Sequence, residues 1–96
     1  MGEDELLTLL KIDLQRTGAD LGDEDYLRLL LRAAKKHLER QGVRDDSGED
    51  CAYLTVGTAA WMYRKRVNGE AEPEFLRRMR HDLIVAQAVG GGSDAV

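Results

Sequence analysis

A chain of 96 residues carrying 14 basic and 18 acidic side chains, net −4, makes one domain and is no general nucleic-acid magnet. Such a chain buries only about 60–65% of the surface its unfolded form exposes, a thin margin that oligomerisation would supplement. At 43% hydrophobic and 33% charged with a single proline, it suits a helical globular protein and argues against a sheet or a disordered chain. The charge is unevenly placed. Residues 1–25 hold eight acids against Lys11 and Arg16, whereas residues 26–44 hold six bases against Glu39 alone. Cys51 is the only cysteine, so no internal disulfide exists. Gly2-Glu3-Asp4-Glu5 is acidic where a signal peptide needs a basic region, so a reduced protein made inside the cell is expected.

Residues 4–16 read as a first helix. Asp4 and Glu5 favour the positive end of its dipole, and Leu6, Leu7, Leu10 and Leu14 form one stripe, with Leu9 and Ile12 off it. Gly18 marks the stop, and residues 17–22 are expected as a loop. Asp23 is a good N-cap for a second helix that runs to about Gln41, with Gly42 past its end. Its apolar residues, from Tyr26 and Leu27 to Leu38, span roughly 200° of the wheel, about twice what one core contact needs. That width implies contacts with two separate partners, and one could lie outside the chain. Basic residues fill most of the remaining arc.

Val43 to Asp50 reads as an acidic loop. Four acids lie within residues 45–50, but the calcium-loop spacing and its closing glutamate are missing, so solvation accounts for them. The stretch from Asp50 to Val67 is the centre of the chain. Between Asp50 and Arg64 it has no charged side chain, and its apolar and small residues cover nearly the whole helical circumference. Such a helix is buried with partners on several sides, and at this length it cannot span a bilayer, which needs about 20 apolar residues. Arg64-Lys65-Arg66 suits its last turn. A loop containing Gly69 follows. Pro73 then opens a fourth helix whose expected stripe is Phe75, Leu76, Met79, Leu83 and Ala86, leaving Ile84 and Val85 outside it. The glycine-rich residues 90–96 are expected as a flexible tail after a domain spanning 1–89.

The expectation is therefore an all-α bundle of about four helices. Its core is expected to hold Leu30, Ala34, Tyr53, Val56, Ala60, Trp61, Tyr63, Phe75, Leu76 and Met79. No arrangement of residues points to catalysis, a cofactor or a metal. His37 and His81 sit on different predicted helices without a metal-ligand spacing, and His37 reads as an edge packing residue. Cys51 has no evident base partner, which disfavours a catalytic thiol. The basic second helix raises DNA binding, as a small helical regulator would use it. However, its face carries mostly Lys and Arg, with few of the amides and hydroxyls that read bases. A solvated face complementing acidic segments, in the same or a neighbouring subunit, is the simpler reading.

Several features in sequence suggest a family. They are the Leu-rich first helix, Asp23-Glu24-Asp25-Tyr26-Leu27 opening a helix with Ala33-Ala34 inside, and the Gly42 boundary. The run from Ala59 through Trp61 to Arg66, and then Pro73-Glu74-Phe75-Leu76-Arg77, complete the set. Over residues 4 to about 86 the chain resembles the small head–tail connector proteins of long-tailed bacteriophages and prophages. The resemblance implies an all-helical, non-catalytic subunit forming a closed ring of roughly a dozen copies. The ring would sit at the head–tail junction of the virion, between the portal protein and a tail-side completion protein, after synthesis in the host cytoplasm and with no membrane partner. DNA would pass non-specifically through its lumen. Candidate contacts to neighbouring subunits or the portal are Arg32, Lys36, Arg64, Arg66, Arg77, Ile84, Val85 and Val89.

Overall fold

The computed structural model describes residues 2–16, 23–45 and 48–94, with Arg16 and residues 90–94 given by backbone alone. Four helices follow one another: α1 (Glu3–Arg16), α2 (Glu24–Arg40), α3 (Glu49–Asn68) and α4 (Glu74–Asp94). The chain is all-α, with no strand among the described residues. The expected loop over 17–22 lies outside the described residues. So do residues 95–96 of the expected tail, and the backbone of 90–94 continues α4.

The helix boundaries follow from local chemistry. The Asp23 carboxylate accepts from the backbone N–H of Asp25 at 2.9 Å, capping α2, and Glu24 and Asp25 complement the dipole behind it. α3 ends at Gly69, which takes the left-handed conformation (φ 72°) and donates its N–H to Lys65 O at 2.7 Å. A Cβ would make that conformation costly, so glycine is the residue that closes this helix. Pro73 precedes α4 and accepts from the N–H of Leu76.

Packing is organised around α3. Its Ala52, Val56, Ala59 and Ala60 meet Leu6, Leu7, Leu10 and Leu14 of α1 and Leu27, Leu30, Leu31 and Ala34 of α2 in one buried cluster. Its Cys51, Leu54 and Trp61 meet Leu38, Val43 and the α4 residues Leu76 and Leu83 in a second. The small side chains of α3 allow close approach. A Cβ added to Gly57 would lie 2.8 Å from Leu76 Cδ2, so α4 rests where a larger residue would displace it. The buried Thr55 hydroxyl is satisfied locally, donating to Cys51 O at 2.8 Å.

Charge fixes how α1 lies on α2. Ion pairs join Lys11 to Glu24 (2.8 Å), Arg28 to Asp4 (2.9 Å) and Arg32 to Glu3 (3.2 Å). That order requires the two helices to run antiparallel. The acidic start of the chain and the basic second helix therefore complement each other within one subunit. The Lys11 ammonium, hydrogen-bonded to Glu24, holds that carboxyl below its usual range, and the bond to Asp4 raises Arg28. These pairs are exposed and weakened by solvent screening, so they select the arrangement of helices while apolar burial stabilises it.

The α2–α3 connection is clamped to α4. The Arg44 N–H donates to Gln87 Oε1 at 2.9 Å, the Gln87 amide donates to Arg44 O at 2.6 Å, and the Arg44 guanidinium reaches Gln87 O at 3.1 Å. The α3–α4 connection is held as firmly. Trp61 Nε1 donates to Glu70 O (3.1 Å), Arg64 pairs with Glu70 (2.7 Å) and Arg80 with Glu72 (2.5 Å).

Trp61 is buried at the junction of α2, α3 and the 69–73 connection, so Trp61→Ala should cost about 3–5 kcal/mol. Chemical denaturation followed by circular dichroism should show a large fall in midpoint. An unchanged midpoint would place Trp61 outside the core.

Candidate interaction surfaces

Most of the expected core residues are inside. Leu30, Ala34, Val56, Ala60, Trp61 and Leu76 are buried, and Tyr63 and Met79 are half-buried. Two expected core aromatics are corrected by the fold: Tyr53 is 49% exposed and Phe75 57% exposed. The reason is helical phase. The inward face of α4 centres on Leu76, Leu83 and Gln87, and Phe75, one residue before Leu76, points about 100° away. Tyr53 lies on the side of α3 that neither α1 nor α4 closes over. Its hydroxyl donates to Glu49 Oε1 at 3.2 Å, and the negative charge of Glu49 raises its pKa, so the phenol keeps its proton.

The expected contact residues divide similarly. Lys36 and Arg77 are exposed, and among the described residues no side-chain bond or ion pair holds either one. Arg32 is exposed but held by Glu3 of its own chain. Arg66 lies over the Tyr26 ring, 5.5 Å from its centroid. Arg64 points inward between Asp13 (3.8 Å) and Glu70 (2.7 Å), bracing α1 and the 69–73 connection on α3. Val85 and Val89 are exposed, at 47% and 65%. Ile84 is the exception: it packs against the cluster around Leu38, Val43 and Trp61 and approaches Gly42, so it serves the subunit's own core.

Two concave surfaces result. The larger is an open groove of about 1200 Å³ running along α3 between α1 and α4. Leu9 and Ile12 form one wall, Phe75, Met79 and Pro73 the other, and Val56, Gly57 and Tyr53 the floor. Asp13, Arg64 and Glu70 lie at one end. Its volume exceeds the roughly 300–1,000 Å³ of small-molecule clefts, and its openness suits a protein element. The sequence pattern hides this groove because the apolar ring of α3 reads as wholly internal. Leu29, 59% exposed on α2, was signalled by the excessive width of that helix's apolar arc.

The smaller hollow, about 390 Å³, is lined by His37, Trp61, Met62, Lys65 and Arg66. The His37 ring lies 6.1 Å from the Trp61 ring at a tilt of 53°, and Lys65 sits 5.1 Å from the indole centroid. Cations at the end of α3 complement its dipole, and the aromatic faces hold them there. His37 Nε2 is buried without a hydrogen-bond partner. Burial lowers the pKa of His37, and nearby Arg80, Arg40 and Lys65 lower it further, against the opposing pull of Glu72.

Among the described residues, no three His, Cys, Asp or Glu side chains gather as a metal site, and no helix is long and apolar enough to cross a membrane. No protein-family model matches the chain, and neither a curated protein nor a solved structure matches it.

The lowered pKa of His37 means that the unfolded chain binds its proton more readily than the folded one. Stability from this group is present above its ordinary pKa of 6.5 and is lost as pH falls below that value. Denaturation midpoints should fall from pH 7.5 to pH 5.5, and His37→Gln should flatten that slope. An equal slope in the variant would assign the pH dependence to other groups.

Proposed function

We propose that this chain is a structural subunit that assembles as a ring between a bacteriophage capsid portal and its tail, extending the channel for DNA. The observation that carries the reading is an apolar surface left over after the core is filled. Ile12, Tyr53 and Phe75 stay exposed around one groove, with Leu29, Val85 and Val89 exposed elsewhere, although every helix already packs through another face. Patches of this kind mark sites of protein association. The family resemblance supplies the kind of assembly: roughly a dozen copies in closed cyclic symmetry, as heterologous contacts permit. On this reading the portal protein lies on one side of the ring and the tail-side completion protein on the other, within the virion.

A DNA-binding regulator using α2 is the competing reading. Pairing of Arg28, Arg32 and Lys35 with Asp4, Glu3 and Asp45 leaves less free positive charge for phosphates than the sequence suggests. Passage of DNA through a lumen needs no base reading, so the remaining cations suit it without specificity.

Electron microscopy of the protein with and without a candidate portal tests the proposal. Rings of uniform diameter that seat on the portal are expected, together with weak, sequence-blind duplex binding in a salt titration. A non-assembling chain that binds one duplex sequence tightly, with affinity falling steeply as salt rises, would instead establish the regulator.

A further inference from the structure

We propose that the α3 groove is the socket for the outer face of α2 of a second copy of this chain, so that subunits join head to tail. The inference rests on the ring reading above and names the two surfaces that would make its subunit contact.

The outer face of α2 is a stripe at helical spacing: Leu29, Ala33, Lys36 and Arg40, all exposed. It combines an apolar anchor with two cations. Among the described residues no ion pair holds Lys36, and Arg40 bonds Lys36 O at 3.4 Å. The groove has the opposite character. Its floor and walls are apolar, and one end carries Asp13 and Glu70, which share Arg64. Two carboxylates against one guanidinium leave that end negative, and it is the end that Lys36 and Arg40 would meet. Charge complementarity selects this occupant over an acidic or purely apolar one.

The dimensions agree. Leu29 to Arg40 and Tyr53 to Arg64 each span eleven helical steps, about 16 Å.

The two surfaces also lie on opposite sides of the subunit. Met62 and Arg66 of α3 share the hollow containing His37 of α2, while Tyr53, Gly57 and Arg64 line the groove. At about 100° per residue these two sets are half a turn apart on α3. The outer face of α2 therefore looks away from the groove, and no subunit can fill its own socket. A contact between unlike, opposed surfaces repeats from subunit to subunit, as a ring requires, and does not stop at a two-fold dimer.

Mixing two assembly-blocked variants tests this. Tyr53→Lys places a cation in the apolar floor of the socket, against Leu29 of the incoming helix. The double variant Leu29→Ser and Lys36→Ser removes the anchor and its charge. All three positions are exposed, so far-UV circular dichroism of both variants should match the parent chain. Sedimentation across a concentration series should show the parent growing beyond two chains, and each variant alone weakened in self-association by about tenfold or more. Mixed in equal amounts, the variants should form a one-to-one pair and stop there, since each pair has one intact socket and one intact α2 face. If either variant assembles like the parent, the inference fails while the ring reading stands, and the groove belongs to a different partner. If mixing restores no pairing, the two surfaces do not meet, and the inference is overturned. A parent chain that stays monomeric both alone and with a portal overturns the inference and the ring reading together.

Discussion

The structure depends on covering α3. A helix with apolar or small residues around almost its whole circumference is stable in water only if neighbours exclude solvent from every side. This chain supplies α2 on one side, α1 on a second and α4 on a third. What remains is the strip carrying Tyr53, Gly57 and Arg64, floored by α3 and walled by α1 and α4. Among the described residues, no further helix lies there. The unfilled strip is thus a consequence of the same composition that makes α3 the centre of the bundle.

Polar contacts decide where that strip ends. Arg64, held between Asp13 and Glu70, ties α1, α3 and the 69–73 connection together and gives the groove a charged boundary. Trp61 anchors the same connection through its indole N–H while its ring packs against His37. The Arg44–Gln87 clamp does the corresponding work on the other connection, setting the rotation of α4 so that Leu76 and Leu83 face inward. Each clamp is short and local, so α4 keeps its position although it packs mainly on α3.

Much of this was legible from residue order. The Asp23 cap, Gly69 and Pro73 delimit the helices through backbone chemistry that tertiary context rarely overrides, and the leucines of α1 form one unambiguous stripe. The placement of Phe75 and Ile84 was not legible. On α4, Phe75 reads as part of the stripe with Leu76, Met79 and Leu83, but in the fold Ile84 packs inward and Phe75 turns out, while Gln87 bonds Arg44, 43 residues away in sequence. Tyr53 was misplaced for another reason. Hydrophobic periodicity reports that a helix needs cover on all sides and says nothing of which side its own chain leaves bare. The acidic start and the basic second helix were readable as complementary, but only the fold places Glu3, Asp4 and Glu24 beside cations of the same subunit.

The central claim is that the bare strip of α3 is covered by another copy through the outer face of α2. Hydroxyl-radical footprinting of dilute, monomeric chain and of assembled chain, read residue by residue by mass spectrometry, tests it most directly. The account predicts that Tyr53, Phe75 and Leu29 react readily in the monomer and become protected together on assembly, while Trp61 stays protected in both. Assembly that leaves Tyr53 and Leu29 as reactive as in the monomer would contradict it.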